Sequence, residues 1–102
     1  MKPIYLTPFR RCVYDEARKI PRGTVITYGE LARRIGCVSP RAVGQALRVN
    51  PLAPEVPCHR VVAADGSLTG FYGKSDARAI NEKRRLLESE GVAFDKNGRV
   101  VL

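Results

Sequence analysis

Two capped helical segments, separated by only two or three residues, constrain the fold of this chain most. The segment 27–36 opens with Thr27 and carries Glu30 three residues later, a capping-box pattern, and it ends at a glycine. The segment 39–49 opens with Ser39-Pro40, a capping hydroxyl followed by the residue favoured at the first helical position. Two helices joined by so short a turn are typical of a helix-turn-helix.

The same signals place the remaining elements. Before the helix pair, we predict a first helix from Thr7 to the break at Pro21-Arg22-Gly23 and a short β-branched stretch at 24–26. After the pair, we predict an extended connector over 52–57, a strand at 61–63, a turn at Asp65-Gly66 and a loop over 69–75. The chain then forms a helix from Ser75 or Asp76 to about Glu90 and a hairpin with an Asn-Gly turn over 92–102. We therefore predict one domain over 1–102, mainly α with short β segments, of the helix-turn-helix or winged-helix-like DNA-binding type.

Charge is unevenly distributed along the chain. Residues 1–62 carry eleven basic and four acidic side chains, a net charge of +7, whereas residues 63–102 carry seven and six, a net charge of +1. Thirteen of the eighteen basic residues are arginine, which suits forked contacts with phosphates and base edges. A solvated surface that aids solubility is the alternative, but so uneven an excess favours nucleic-acid binding.

The second helix of the pair predicts where such binding occurs. Arg41, Gln45 and Arg48 share one polar face of the segment 39–49. Gly44 lies inside that helix, although glycine costs about 1 kcal/mol there relative to alanine. Either the close approach of another backbone or tight internal packing would explain it.

Several classes of protein are excluded. Three cysteines, Cys12, Cys37 and Cys58, are an odd number without a CxxC pair, which argues against a disulfide scaffold and a zinc site. No apolar run approaches the roughly 18 residues of a membrane span. The N-terminus lacks a signal-peptide apolar region, so we expect a cytoplasmic protein without membrane partners.

The segment Pro57-Cys58-His59 holds the chemically informative residues. Cys58 adjoins the only histidine of the chain and follows a proline-rich connector. A thiolate is the reactive form of cysteine, and a nearby base increases its population, so Cys58 is a candidate nucleophile. The alternative for any lone cysteine is a small buried hydrophobe. That alternative fits Cys12, on the apolar face of the first helix, and Cys37 in a turn.

Five blocks of this sequence carry a resemblance to a known family. They are "TYGELARRIG" at 27–36, "RAVGQALRVNP" at 41–51, "PCHRVV" at 57–62, "DGSLTGF" at 65–71 and "LLESEG" at 86–91. In this order they resemble the O6-alkylguanine-DNA alkyltransferases, also called methylated-DNA–protein-cysteine methyltransferases. The resemblance implies repair of O6-alkylguanine in double-stranded DNA by stoichiometric alkyl transfer, without a metal or cofactor.

The resemblance also implies roles for individual residues. Cys58 matches the cysteine that accepts the alkyl group, and His59 the base that acts on it through water. Glu90 matches the carboxylate that orients the histidine, Asn50 the asparagine that braces the active-site turn, and Arg60 a structural arginine.

On the DNA side, Arg41 matches the arginine finger that fills the gap left by the flipped nucleotide. Tyr28 matches the tyrosine that turns the 3′ phosphate and faces the guanine. The resemblance further implies that the helix entering the minor groove contacts DNA through Gly44, Gln45 and Arg48. It also implies a substrate pocket lined by Tyr28, Val61, Thr69, Phe71 and Tyr72.

Some features depart from the family pattern. Thr69 stands where a small residue is common and Phe71 where tyrosine is common, and the loop over 72–79 is about five residues longer than usual. With a first helix predicted from residue 7, we expect the family's usual N-terminal domain to be missing. The architecture would then resemble the alkyltransferase-like proteins, which bind alkylated DNA but lack the cysteine. A lesion sensor that recruits other repair proteins is therefore the alternative function. A transcription regulator is disfavoured because no dimerisation element is left, and we expect a monomer, nucleoid-associated in a prokaryote or nuclear in a eukaryote.

Overall fold

The helices of this chain begin where the sequence predicts capping residues. The computed structural model describes residues 7–52, 55–69 and 76–102. The elements are helix α1 (Pro8–Ala17), strand β1 (Ile26–Thr27), helix α2 (Tyr28–Arg34), helix α3 (Pro40–Arg48), the 3₁₀ turn η1 (Cys58–Arg60), strand β2 (Val61–Val62) and helix α4 (Ala77–Ser89). The side chains of Thr7, Thr27, Ser39 and Asp76 each accept a hydrogen bond from a backbone N–H in the first turn of the helix that follows.

Helices α1, α2 and α3 pack together around the larger of two core clusters, and α2 and α3 form the predicted helix-turn-helix. Val13, Leu31 and Val43, one from each helix, are fully buried in this cluster. The buried hydroxyl of Tyr14 donates a hydrogen bond to the carbonyl of Ala46 at 2.7 Å, which ties α1 to α3. The prediction of a mainly helical, helix-turn-helix domain is confirmed.

The two short strands form a parallel pair. Ile26 lies opposite Val61, and Thr27 lies opposite Val62. Strand pairing between segments 35 residues apart cannot be read from two short β-branched stretches, and the sequence predicted neither the partner nor the direction. The pair joins the start of α2 to the end of η1, so it fixes the helix-turn-helix relative to the segment that carries Cys58.

The second core cluster lies under α4 and the C-terminal segment. Val62, Leu68, Leu87 and Val100 are its buried members. The predicted C-terminal hairpin is reduced to a single antiparallel bridge between Phe94 and Val100. The Val100 N–H points away from that bridge and donates to the Gly66 carbonyl at 2.9 Å, so the C-terminal segment also pairs with the turn after β2.

Two local predictions were wrong. Cys12 is exposed, because the inward face of α1 runs through Val13, Tyr14 and Ala17 rather than through the cysteine. The connector over 52–57 was predicted to be extended, but the Val56 N–H donates to the Leu52 carbonyl at 2.9 Å, a contact that an extended segment cannot make.

The remaining predictions concern the loop before α4 and the membrane. Phe71 and Tyr72 lie outside the described residues, as does the rest of 72–75, whereas 77–79 belong to α4. Among the helices described above, none combines the length and the apolar character that a membrane crossing requires.

Candidate active site and DNA-binding surface

Cys58 lies at the start of η1, immediately after a turn that Asn50 holds closed. The Asn50 side-chain amide donates to the carbonyl of Val56 at 2.9 Å, and its oxygen accepts the N–H of Leu52 at 2.9 Å. These two bonds join both ends of the turn that leads into η1. The geometry agrees with the bracing role that the resemblance implied for Asn50, which stays a prediction.

His59 and Arg60 both bind the carboxylate of Glu90, the C-cap residue of α4. Nε2 of His59 lies 2.9 Å from Oε2 of Glu90, while Nε of Arg60 donates to Oε1 and its Nη2 to Oε2, each at 2.9 Å. Nη1 of Arg60 donates to the carbonyl of Ile20 at 2.9 Å. One arginine therefore anchors the carboxylate to the turn that follows α1, and the carboxylate fixes the imidazole.

This geometry determines which nitrogen of His59 can act as a base. The hydrogen bond from Arg60, together with His59, outweighs burial and lowers the pKa of Glu90 from 4.5 to about 2. An ionised carboxylate only accepts hydrogen bonds, so Nε2 of a neutral His59 carries the proton. Nδ1 is then the nitrogen left to accept a proton.

Glu90→Gln should lower the melting temperature at neutral pH, because the folded state holds Glu90 ionised with a depressed pKa. Such a group stabilises the fold above its unfolded pKa of about 4.5 and loses that contribution as the pH falls towards 2. The difference between wild type and variant should therefore narrow between these values, as measured by thermal unfolding. Glu88→Gln, on the exposed side of α4, is the control and should give a small difference. If the difference in melting temperature between wild type and Glu90→Gln stayed constant from pH 7 to 2, Glu90 would not be held ionised by the fold.

Cys58 itself is largely enclosed, with 8% of its surface exposed. Burial raises the pKa of the thiol, while a hydrogen bond with Asn50 and the ammonium of Lys83 oppose that rise. The thiol form therefore dominates in the resting protein, and a base is needed to generate the thiolate.

The predicted pocket residues are only partly brought together. The hydroxyl of Tyr28 and that of Thr69 are hydrogen-bonded at 3.2 Å, and burial raises the pKa of Tyr28, which keeps its hydroxyl protonated. Val61 is fully buried in the core cluster that also contains Cys58. Its place in a pocket stays a prediction.

The polar face of α3 is exposed as predicted. Arg41, Gln45 and Arg48 all lie at the surface, and neither arginine takes part in an ion pair found among the described residues. A Cβ atom built on Gly44 would approach the Tyr28 ring no closer than 3.9 Å, an ordinary contact. Internal packing among the described residues therefore does not require a glycine at this position, and close approach by another molecule stays a prediction.

Two buried polar residues near Cys58 were missed. Lys83 is 1% exposed and Tyr14 is fully buried. The helical periodicity of α4 does indicate that Lys83 faces inward, because it lies four residues after Ala79 and four before Leu87, which are both buried. Because a charged side chain is usually solvated, this one was not expected in the core.

Fold and site together define a class of protein, a helix-turn-helix domain built around a buried cysteine beside a histidine–glutamate pair. Residues 8–92 match the family model described as 6-O-methylguanine DNA methyltransferase, DNA binding domain, and the chain belongs to that family.

Relatives of known name agree with this assignment. The methylated-DNA–protein-cysteine methyltransferase of Thermococcus kodakarensis is 51% identical over 88 residues, which are 85% of this chain and 47% of that protein. The chain thus spans about half the length of the curated relatives it matches.

Solved structures give the same result. OGT of Mycobacterium tuberculosis in complex with DNA is 45% identical with a TM-score of 0.77, over 86% of this chain and 52% of that one. Atl1 of S. pombe, bound to damaged DNA containing O6-carboxymethylguanine, is 35% identical with a TM-score of 0.75, over 97% of this chain and 92% of that one.

Proposed function

We propose that this chain binds double-stranded DNA containing O6-alkylguanine and transfers the alkyl group to Cys58 once per molecule. The observation that carries the proposal is the contact of His59 Nε2 with the ionised carboxylate of Glu90 at 2.9 Å, directly beside a buried cysteine. A histidine held in this tautomer serves as a base, which a domain that only binds DNA does not need. The names of the relatives support the same reaction.

The chemical step begins with removal of the thiol proton. The proton of Cys58 passes through a water molecule to Nδ1 of His59, and Glu90 stabilises the resulting imidazolium. The sulfur then attacks the alkyl carbon, so that an S–C bond forms as the bond between carbon and guanine O6 breaks. The bonding electrons remain on the guanine, which takes up a proton, and we propose the protonated hydroxyl of Tyr28 as the donor. The tyrosinate then regains a proton from solvent, while the imidazolium of His59 releases one to it. No further reactant is needed for the balance.

DNA binding is proposed to use the exposed face of α3. A base inside a duplex hides its O6 substituent, so the nucleotide must be extruded at a cost of a few kcal/mol. Arg41, in the first turn of α3, is proposed to fill the gap in the duplex. Gln45 and Arg48 continue its face along the groove, and Gly44 allows the backbone to come close.

Intact-mass measurement after incubation with methylated duplex DNA tests this function. The protein mass should increase by one methyl group replacing one hydrogen and then stop, and peptide mapping should place the methyl group on Cys58. An unmethylated duplex of the same sequence is the control. A methyl group on Cys12 or Cys37, or an unmodified protein that still binds the lesion tightly, would contradict alkyl transfer.

The second candidate is a lesion sensor that binds alkylated DNA without repairing it. Its support is the Atl1 structure, of which this chain covers 92%. A sensor needs the DNA-binding face but not the acceptor thiol, and this chain retains Cys58, His59, Glu90 and Asn50 together. Transfer is therefore the better supported function.

We further propose that residues 1–102 act as one domain. The two core clusters adjoin at β2, where Val61 belongs to one and Val62 to the other. A cooperative unfolding transition measured by two spectroscopic probes would support this, and two separate transitions would contradict it.

Thr69→Gly should increase the rate with O6-benzylguanine several-fold more than the rate with O6-methylguanine in DNA. The side chain of Thr69 is hydrogen-bonded to Tyr28 and is β-branched, so its removal makes room for an aromatic substituent beside that ring. Thr69→Ser keeps the hydroxyl and removes only the methyl group, which separates crowding from loss of the hydrogen bond. Equal changes for both substrates would show that Thr69 does not shape the pocket.

A further inference from the structure

Lys83 is a charged residue inside the protein core. It lies on the inward row of α4 between Ala79 and Leu87 and is 1% exposed. Burial of an ammonium group is costly unless an opposite charge or good hydrogen bonds compensate it. A lysine at this position therefore needs an explanation that packing does not supply.

The contacts of Lys83 lead to the segment that carries Cys58. Its Nζ donates a hydrogen bond to the carbonyl of Val61 at 2.9 Å, and the N–H of Val61 donates to the carbonyl of Cys58. The ammonium thus lies against the end of η1, on which α4 packs. One carbonyl satisfies only one of its three donors.

Among the described residues, few ionisable groups face this point. Tyr14 from α1, Tyr28 from α2 and Lys83 from α4 lie close enough to Cys58 to interact with its charge, while His59 follows it on η1 and is held by Glu90. Both tyrosines are neutral at pH 7. Among the described residues Lys83 forms no ion pair with a carboxylate, so the thiolate of Cys58 is the anion placed to compensate it.

We propose that Lys83 is a positioning residue for the alkyl transfer, whose buried ammonium stabilises the thiolate of Cys58. The proposal rests on the proposed function, because it concerns the nucleophile of that reaction. Attraction between the two charges is strong in a site shielded from water, and it disappears once the sulfur becomes a neutral thioether. The ammonium of Lys83 therefore favours the thiolate when the proton leaves Cys58, and it loses this partner once the thioether has formed.

The protonation state of Lys83 agrees with this role. Burial lowers the pKa of Lys83 from 10.5 to about 8, while the neighbouring Cys58 thiolate raises it. The ammonium form thus still predominates at neutral pH. By the same attraction the ammonium lowers the pKa of Cys58, against the effect of burial.

The test measures the pH dependence of the reaction between Cys58 and iodoacetamide, in a protein whose other cysteines are replaced by serine. Lys83→Gln keeps a hydrogen-bond donor for Val61 but removes the charge. Its midpoint should move up by about one pH unit, which means about tenfold slower reaction below the midpoint. Lys83→Arg keeps the positive charge, so its midpoint should lie close to that of the wild type. Lys19→Gln removes an exposed charge near α1 and should leave the midpoint unchanged. A folded Lys83→Gln protein with an unchanged midpoint would overturn the proposal.

A second measurement requires no substitution of Lys83. The pKa of Lys83 is followed by NMR of its side chain before and after Cys58 is blocked with iodoacetamide. Loss of the thiolate should lower the pKa of Lys83, and an unchanged pKa would overturn the proposal. Neither measurement uses DNA. A protein that shows both shifts yet takes no methyl group from DNA would refute the proposed function and leave the coupling of Lys83 and Cys58 established.

Discussion

Cys58→Ala is expected to abolish alkyl transfer completely while leaving the affinity for methylated duplex DNA largely unchanged. Of the three cysteines, only Cys58 has a histidine beside it in the sequence, and Glu90 holds that histidine in place. Only 8% of the surface of Cys58 is exposed, so replacing it alters little of the surface that would meet DNA. Mass spectrometry after incubation with methylated DNA measures the transfer, and a binding titration at fixed salt measures the affinity.

Two other cysteines serve as matched controls for this change. Cys12 is exposed and Cys37 is half-buried, where it exchanges hydrogen bonds with the backbone of Ser39. Cys12→Ala and Cys37→Ala should both transfer the methyl group at the wild-type rate. If Cys58→Ala still gained a methyl group, the assignment of the acceptor would be wrong. If it lost binding as well, with an unchanged melting temperature, the thiol would have a direct part in recognition.

Arg41→Ala is expected to slow transfer from methylated duplex DNA by about tenfold or more. If the guanidinium offsets about 1.4 kcal/mol of an extrusion cost of a few kcal/mol, its loss corresponds to a factor of about ten in rate. Arg41 is exposed in the first turn of α3 and forms no ion pair among the described residues, so the fold should be unaffected. The rates are measured in single-turnover experiments with duplex DNA and with free O6-benzylguanine.

The free base separates nucleotide flipping from chemistry, because it needs no extrusion. Its rate should change far less in Arg41→Ala than the rate with duplex DNA. Arg48→Ala should weaken binding to methylated and unmethylated duplexes alike and reduce the salt dependence, as expected for a phosphate contact. Arg78→Ala removes an exposed arginine from α4 and controls for net charge alone. Equal losses on duplex and free base would argue against a finger role for Arg41.

The local elements of this protein were determined by its sequence. Thr27, Ser39 and Asp76 each cap a helix with their own side chain, an interaction that spans three residues and needs no tertiary contact. The exposed face of α3 follows from helical spacing alone, so Arg41 and Arg48 could be placed before the fold was known. The sequence motifs likewise identified the family to which the chain belongs.

Prediction failed where contacts join distant parts of the chain. Two such contacts join segments at least 30 residues apart. One is the parallel pairing of Ile26 with Val61, and the other is the set of hydrogen bonds from Arg60 to both Glu90 and Ile20. Which face of α1 turns inward was decided by α2 and α3, and this left Cys12 outside. Lys83 is the clearest case. Periodicity places it on the inward row of α4, but only the packing of α4 against η1 surrounds its ammonium group and brings it near Cys58. Burial and electrostatic coupling are properties of the folded chain, so the order of residues alone does not determine them.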